Sequence, residues 1–194
     1  MAQFTRRTPP PGPFVNYQRF KSFLREDFRF QCAYCNITEA YRRGSDVFGV
    51  DHFRPRAHFP DLATTYSNLY YACNKCNSIK GSRFPTETMR NQGIGFVDPC
   101  AVNPHENDLR EAADGKLEAL TGSGTYTIAV IRLNRIECVT FRLQRRRTAA
   151  RIAALRGEIE ALDPHDRGTI LALEALHAAE QEWEACFGSH PGME

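Results

Sequence analysis

The chain has 194 residues, of which 42% are hydrophobic and 25% are charged, and its formal net charge is +2. This is the composition of a globular protein large enough for one good core with a smaller appendage. No apolar run approaches the roughly 20 residues of a membrane-spanning helix, and no apolar segment of a secretory signal follows the first residues, so we exclude a membrane protein and expect a reducing, cytoplasmic compartment.

The small net charge hides an asymmetry along the chain. Residues 157–194 contain nine acidic residues and one basic residue, a net charge of −8, so residues 1–156 carry +10. A basic front part indicates contact with a polyanion. The acidic end indicates either a solvated helix or a surface that faces a protein partner.

The first hundred residues are predicted to form a small mixed domain. Apolar side chains recur at helical spacing from Phe14 to Phe28, after a proline-rich lead-in. Residues 32–100 combine turn formers with short extended runs such as VFGV and NLYYA, which is typical of a unit organised by a metal. We therefore place a first domain at residues 1–100 and a mostly helical extension at residues 101–194.

The extension begins with loop-like sequence and one expected strand in GKLEALT. A helix is predicted from Tyr126 to Leu162, with a break near Asn134, and a second helix from Asp166 to Phe187. The two helices are predicted to form an antiparallel hairpin. The second helix has an expected apolar stripe that consists of Ile170, Leu171, Leu173, Leu176 and Trp183.

Four of the seven cysteines form two C-x-x-C pairs, Cys32 with Cys35 and Cys73 with Cys76. Each short spacing aims two sulfurs at one ion, and four thiolates suit tetrahedral Zn²⁺. Coincidence or redox-active thiols are the alternatives. A four-cysteine zinc site is closed to water, so the zinc is predicted to be structural and any chemistry must lie beside it.

The 37 residues between the two pairs contain a carboxylate and an imidazole side by side, Asp51 and His52, at the end of a short apolar run. A short helix after Cys73 would place Asn77 and Lys80 one turn apart on one face. Zinc would tie the start of that helix to the first cysteine pair, so this face is expected to meet the strand of Asp51 and His52.

The order C-x-x-C, D-H-x-x-P, N and C-x-x-C-N-x-x-K, over residues 32–81, resembles the HNH endonuclease family with its ββα-metal fold, in the subtype with four zinc-binding cysteines. The resemblance implies that His52 is the general base and that Asn68 orients the histidine and its loop. It also implies that Asp51 and Asn77 bind a catalytic Mg²⁺ or Mn²⁺. The expected fold class is α+β, with a zinc-stabilised ββα core, an N-terminal helix and a C-terminal helical hairpin.

The residues support this chemistry without the family name. An imidazole titrates near pH 6.5 and can take a proton from water, and a hard cation on oxygen ligands can stabilise the charge that develops on a phosphate. Neighbours on a strand point to opposite faces, so Asp51 and His52 flank one phosphate only if the backbone bends, which Pro55 favours, or if the metal ligand reaches around the strand. The structural alternatives are a core histidine at position 52 and helix or turn caps at Asn68 and Asn77.

Basic residues around the motif and in the long helix are candidates for nucleic-acid contacts. The predicted set consists of Lys80, Arg54, Arg83, Arg142 and Arg146. The helix that carries the last two could follow a nucleic-acid backbone, with an affinity that depends on salt and not on sequence. The same arginines could instead pair with the acidic tail.

The predicted function is therefore metal-dependent hydrolysis of DNA with little sequence preference. The FVDP segment and Leu133-Asn134-Arg135 are loosely similar to small bacterial HNH nuclease effectors that act beside an ATPase or a retron against phage, which suggests a regulatory protein partner. Two other functions stay open, a non-catalytic zinc-bound nucleic-acid-binding module and a protein-interaction adaptor that works through its acidic hairpin.

Overall fold

The computed structural model describes residues 4–101, 107–162 and 167–188. These residues form two compact units, which divide after Val139. Strands and helices both contribute to the first unit, and helices form the second, so the predicted α+β class is confirmed. Among the described residues, none of the helices combines the length and the apolar character that crossing a membrane requires.

A two-stranded antiparallel sheet and one helix form the centre of the first unit. Strand β1 (Phe48–His52) pairs with β2 (Leu69–Cys73), with Asp51 opposite Tyr70. All five residues of β2 are buried, and the strand leads directly into helix α3 (Asn74–Lys80). Helix α3 therefore starts at the second cysteine pair, as the sequence predicts.

The N-terminal helix begins as one 3-10 turn, Tyr17–Phe20, and continues as α1 (Lys21–Asp27). Its Leu24 is buried, and the helix packs against β2. Two further short helices follow in this unit, α2 (Glu39–Arg42) and, after α3, α4 (Glu87–Asn91). The helix predicted from Phe14 is thus present from Tyr17 onward.

A second small sheet and a helix complete the first unit. Strands β3 (Leu109–Glu111) and β4 (Leu117–Ala119) form a hairpin, and helix α5 (Gly122–Ile131) follows. A side chain at Gly124 would place its Cβ 2.1 Å from the carbonyl oxygen of Asp108, so α5 packs against this hairpin through a glycine.

The boundary between the two units lies later than residue 100, where the sequence analysis places it. Helix α5 contacts α3 of the central ββα unit, and the Thr127 hydroxyl accepts a hydrogen bond from the backbone of Val97 at 2.8 Å. Because residues 109–131 pack on the first hundred residues in this way, they belong to the first unit.

The C-terminal helices are α6 (Ile136–Glu160), which begins in the first unit, and α7 (Arg167–Phe187). Arg132 ends α5 in the left-handed conformation, which confirms the predicted break near Asn134. The pairs Arg156–Glu180 at 2.7 Å and Arg151–Glu182 at 3.8 Å link α6 to α7 in antiparallel order. The predicted helical hairpin is therefore present.

The apolar stripe predicted on α7 is only partly correct. Trp183 is buried and contacts Phe187 with a distance of 5.0 Å between the ring centroids. Ile170, Leu171 and Leu173 are exposed, because α7 buries the face that carries Ala172 and Ala179 instead. Helix α7 therefore has a second apolar surface that the described residues leave in contact with solvent.

Leu69 tests how far the first unit depends on its buried strand. Leu69 has no exposed surface, so Leu69→Ala is expected to lower the free energy of unfolding by about 2–5 kcal/mol. Val15 is 99% exposed, so Val15→Ala is the control and should change stability by less than about 0.5 kcal/mol. Urea unfolding of the zinc-loaded protein measures both, and equal losses would contradict the assigned core.

Candidate functional site

The four predicted zinc ligands lie together. The sulfur atoms of Cys32, Cys35, Cys73 and Cys76 all fall within 4.8 Å of one another, and all four residues are buried. Zinc–sulfur bonds of about 2.3 Å in a tetrahedron place two sulfurs about 3.8 Å apart. The Sγ atoms of Cys35 and Cys73 are 3.9 Å apart, which fits one shared ion and is far too long for a disulfide.

The second cysteine pair is shaped by the start of helix α3. Cys73 is the N-cap of this helix, and its sulfur accepts a hydrogen bond from the backbone N–H of Cys76 at 3.5 Å. Burial raises the pKa of Cys32, whereas hydrogen bonds from Cys138 and then Cys32 lower that of Cys35. Four buried thiols this close together are a suitable donor set for Zn²⁺, which binds thiolates.

Asp51 is buried in an internal ion pair. Its side chain is 4% exposed and lies 3.0 Å from the ammonium nitrogen of Lys80, which has no exposed surface. The Tyr34 hydroxyl, from the first cysteine pair, donates a short hydrogen bond to the same carboxylate. Lys80 also donates to the carbonyl oxygen of His52 at 2.6 Å. The end of α3 is thereby fastened to β1.

The pKa shifts of this pair follow from its burial. Loss of solvent raises the pKa of Asp51, and the positive charge of Lys80 opposes that change. Loss of solvent likewise lowers the pKa of Lys80, and the negative charge of Asp51 opposes it. Each charged group is therefore stabilised by the other, because neither is exposed to water.

The His52 ring makes contacts that differ from those of Asp51. Its Nε2 lies 2.9 Å from the carbonyl oxygen of Ala63, and Tyr17 meets the ring edge-on with 4.7 Å between the centroids. A carbonyl oxygen only accepts, so Nε2 carries the proton and a neutral ring keeps its lone pair on Nδ1. His52 is 8% exposed. Since neighbours on a strand alternate in direction, the two side chains use opposite faces of β1.

Asn68 fixes the loop that holds His52. Its side-chain oxygen accepts from the backbone N–H of Arg54 at 2.9 Å, and its amide nitrogen donates to the carbonyls of Arg54 and Leu62 at 3.1 and 3.2 Å. Leu62 precedes Ala63, the partner of the His52 ring. Asn68 is thus placed where an orienting residue would act.

Asn77 faces β1, as expected for the helix face that it shares with Lys80. Its amide nitrogen donates to the carbonyl of Val50 at 3.4 Å, so the amide is held beside the residue before Asp51. A carboxylate and an amide oxygen are hard donors of the kind that Mg²⁺ and Mn²⁺ bind. The two residues therefore fit a hard cation in donor type, with Lys80 already balancing the one carboxylate charge.

The residues predicted to contact nucleic acid differ in their exposure to solvent. Arg54, Arg83 and Arg146 are exposed. Arg142 is 1% exposed, and Lys80 has no exposed surface, so neither side chain can reach a phosphate in this structure. Sequence alone did not reveal that the charged groups of these two residues are enclosed by the fold.

Three contacts of the site were not predicted from the sequence. Tyr34 stands inside the first C-x-x-C pair, a position that could have drawn attention to it. Tyr17 lies before the motif and Ala63 lies 11 positions after His52, and both reach the ring only through the fold. No spacing rule connects them to the histidine.

Comparison with known protein families agrees with the geometry. Residues 32–83 match the family model described as HNH endonuclease, which confirms the resemblance over this segment. The segment spans both cysteine pairs, both strands of the central sheet and helix α3. Among curated proteins, none matches the chain.

Cys73 provides a test of the zinc site. One zinc ion per chain is expected by elemental analysis, and Cys73→Ser should lose most of it because the hydroxyl is a poor ligand for zinc. Cys186, which lies outside the cluster, supplies the control Cys186→Ser. Equal zinc content in both variants and the wild type would contradict the four-sulfur site.

The ion pair of Asp51 and Lys80 predicts a compensating double variant. Lys80→Met leaves a buried carboxylate without its cation and should lower the free energy of unfolding by about 3–5 kcal/mol. Adding Asp51→Asn removes that uncompensated charge, so the double variant should recover at least half of the loss. Urea unfolding measures both, and additive losses would show that the two residues do not act as a pair.

Proposed function

We propose that the chain is a metal-dependent endonuclease that hydrolyses phosphodiester bonds of DNA. One observation carries the proposal: the segment that matches the HNH endonuclease model is the same segment in which two cysteine pairs fasten β1, β2 and α3 together. A shared sulfur cluster and a family match over the same residues indicate a domain built for this chemistry.

His52 is proposed as the general base. Nε2–H donates a hydrogen bond to the carbonyl of Ala63, so Nδ1 is the nitrogen that removes a proton from the attacking water. Asn68 fixes the loop on which Ala63 stands, and Tyr17 restricts rotation of the ring. Correct placement of a base contributes to the rate because less of the barrier is then due to orientation.

Asp51 and Asn77 are proposed to hold a Mg²⁺ or Mn²⁺ ion. When bound, such an ion stabilises negative charge on the phosphate and on the leaving oxygen. Burial raises the pKa of Asp51 and Lys80 opposes that rise, which favours the ionised carboxylate that binds a cation. Because Lys80 already balances this carboxylate, the phosphate of the substrate is expected to supply much of the remaining negative charge.

DNA is the proposed substrate, and the exposed arginines are its proposed contacts. Arg54 follows the catalytic strand, and its backbone is held by Asn68 on both sides. Arg83 follows α3, and Arg146 is exposed on α6. Contacts of this kind bind the phosphate backbone, so we propose little preference for base sequence.

A specific observation also favours a second function, a zinc-bound nucleic-acid-binding module without catalysis. His52 is 8% exposed, and both carboxylate oxygens of Asp51 already accept hydrogen bonds from inside the protein. A site of this kind could serve only to stabilise the fold. The two functions differ in whether DNA is cut, which a cleavage assay decides.

The biological setting that we propose is anti-phage defence in the cytoplasm, with control by a protein partner such as an ATPase. The four thiols suit a reducing compartment. The exposed Ile170, Leu171 and Leu173 on the acidic helix α7 support a docking surface for that partner. The choice of an ATPase as the partner is based on the loose similarity of the FVDP and Leu133-Asn134-Arg135 segments to nuclease effectors of that kind.

The proposed function is tested with supercoiled plasmid DNA and either Mg²⁺ or Mn²⁺. His52→Ala should lower the cleavage rate about 10²–10⁴-fold while zinc content and helicity stay unchanged. His58→Ala is the control, because the His58 side chain is exposed and hydrogen-bonds the carbonyl of Ser82, away from the His52 ring.

The outcome separates the two functions. Cleavage that is lost in His52→Ala and kept in His58→Ala supports the enzyme. Binding without cleavage by every variant supports the non-catalytic module. Cleavage of RNA in place of DNA under the same conditions would retain the reaction and overturn the proposed substrate.

A further inference from the structure

Arg135 reaches the zinc centre from well outside the segment that matches the family model. Its Nη2 lies 3.2 Å from the sulfur of Cys76, 59 positions earlier in the chain. The side chain is only 11% exposed, and an arginine this buried usually has a partner for its charge. A guanidinium beside a cysteine sulfur of a metal site is a charge-assisted hydrogen-bond donor to that sulfur.

The fold holds this guanidinium in place. Asn134, the preceding residue, makes two hydrogen bonds to the backbone of Leu117, at 2.7 Å to its N–H and 2.8 Å to its carbonyl. Glu137 accepts from Arg135 Nε at 3.0 Å, and the carbonyl of Ile131 accepts from Nη1 at 3.3 Å. The backbone and the guanidinium of Arg135 are therefore both held by contacts other than the one with Cys76.

Charge explains why the site needs a cation. A zinc ion with four thiolates has a net charge of −2, and here all four ligands are buried. Uncompensated charge in a buried site is costly. An arginine guanidinium is not deprotonated in proteins. The guanidinium thus stays charged beside the sulfurs.

We propose that Arg135 is a positioning residue of the zinc centre, which holds the Cys76 thiolate toward the metal and offsets part of the excess negative charge of the four-sulfur site. Zinc binding would then depend on a residue that lies 52 positions beyond Arg83, where the family match ends. The zinc centre and the segment between α5 and α6 would form one structural unit. This inference depends on the zinc site and is independent of nuclease activity.

The alternative is that Arg135 serves only local packing, through Glu137 and the end of α5. Both roles predict a loss of stability when Arg135 is replaced, so stability alone does not distinguish them. Only the proposed role predicts a change in metal affinity and in the electronic environment of the sulfur.

The test compares Arg135→Gln and Arg135→Lys with the wild-type full chain. Competition with a chromogenic chelator at fixed near-neutral pH measures zinc affinity, and Arg135→Gln should weaken it about 10- to 100-fold, the usual effect of losing an outer partner of a metal ligand. Arg135→Lys keeps the charge without the planar fork and should lose less. Arg147→Gln makes the same chemical change at an exposed position and should match the wild type.

Cobalt substitution supplies a second measurement that a packing role would not alter. The sulfur-to-cobalt charge-transfer band should move to longer wavelength in Arg135→Gln, because a thiolate without its hydrogen bond gives up an electron more easily. Zinc affinity within twofold of the wild type together with an unchanged cobalt band would overturn the proposal, as would an equal loss in Arg147→Gln. If Arg135→Gln does not fold, the same two readings on Arg135→Lys decide.

Discussion

The geometry of the first unit depends on four sulfur atoms that must reach one point. The two cysteine pairs are separated by 37 residues, and the central sheet is formed from that intervening stretch. When their sulfurs meet, β2 and the start of α3 are held against the first pair. A sheet of two short strands is marginal on its own, so a shared metal supplies stability that local pairing lacks.

The same constraint gives the neighbouring side chains of Asp51 and His52 different surroundings. Strand geometry sends their side chains to opposite faces, and α3 brings Lys80 to the face of Asp51. The carboxylate therefore has an internal cation, while the imidazole is fixed by a backbone carbonyl on the other side. The pair of Asp51 and Lys80 thereby links the end of α3 to β1.

Segments that hinted at biological context also have structural roles. Asp98 of the FVDP segment accepts from the Tyr70 hydroxyl at 2.7 Å, which ties this segment to β2. Asn134 and Arg135 connect the second hairpin to the zinc centre through Leu117 and Cys76. A residue pattern shared with other proteins can thus reflect how the domain is held together, apart from any common partner.

The sequence by itself determined the clustered cysteines, the order of the ββα elements, the helix face of Asn77 and Lys80, and the helix break near Asn134. Each of these follows from spacing within a few residues or from caps and breakers. The tertiary structure alone decided that Lys80 and Arg142 are enclosed, that Ile170 is exposed, that Tyr17 covers His52 and that the first unit extends to Val139. Burial and pairing of this kind depend on contacts between residues far apart in the chain, and periodicity identifies which faces are apolar without identifying what covers them.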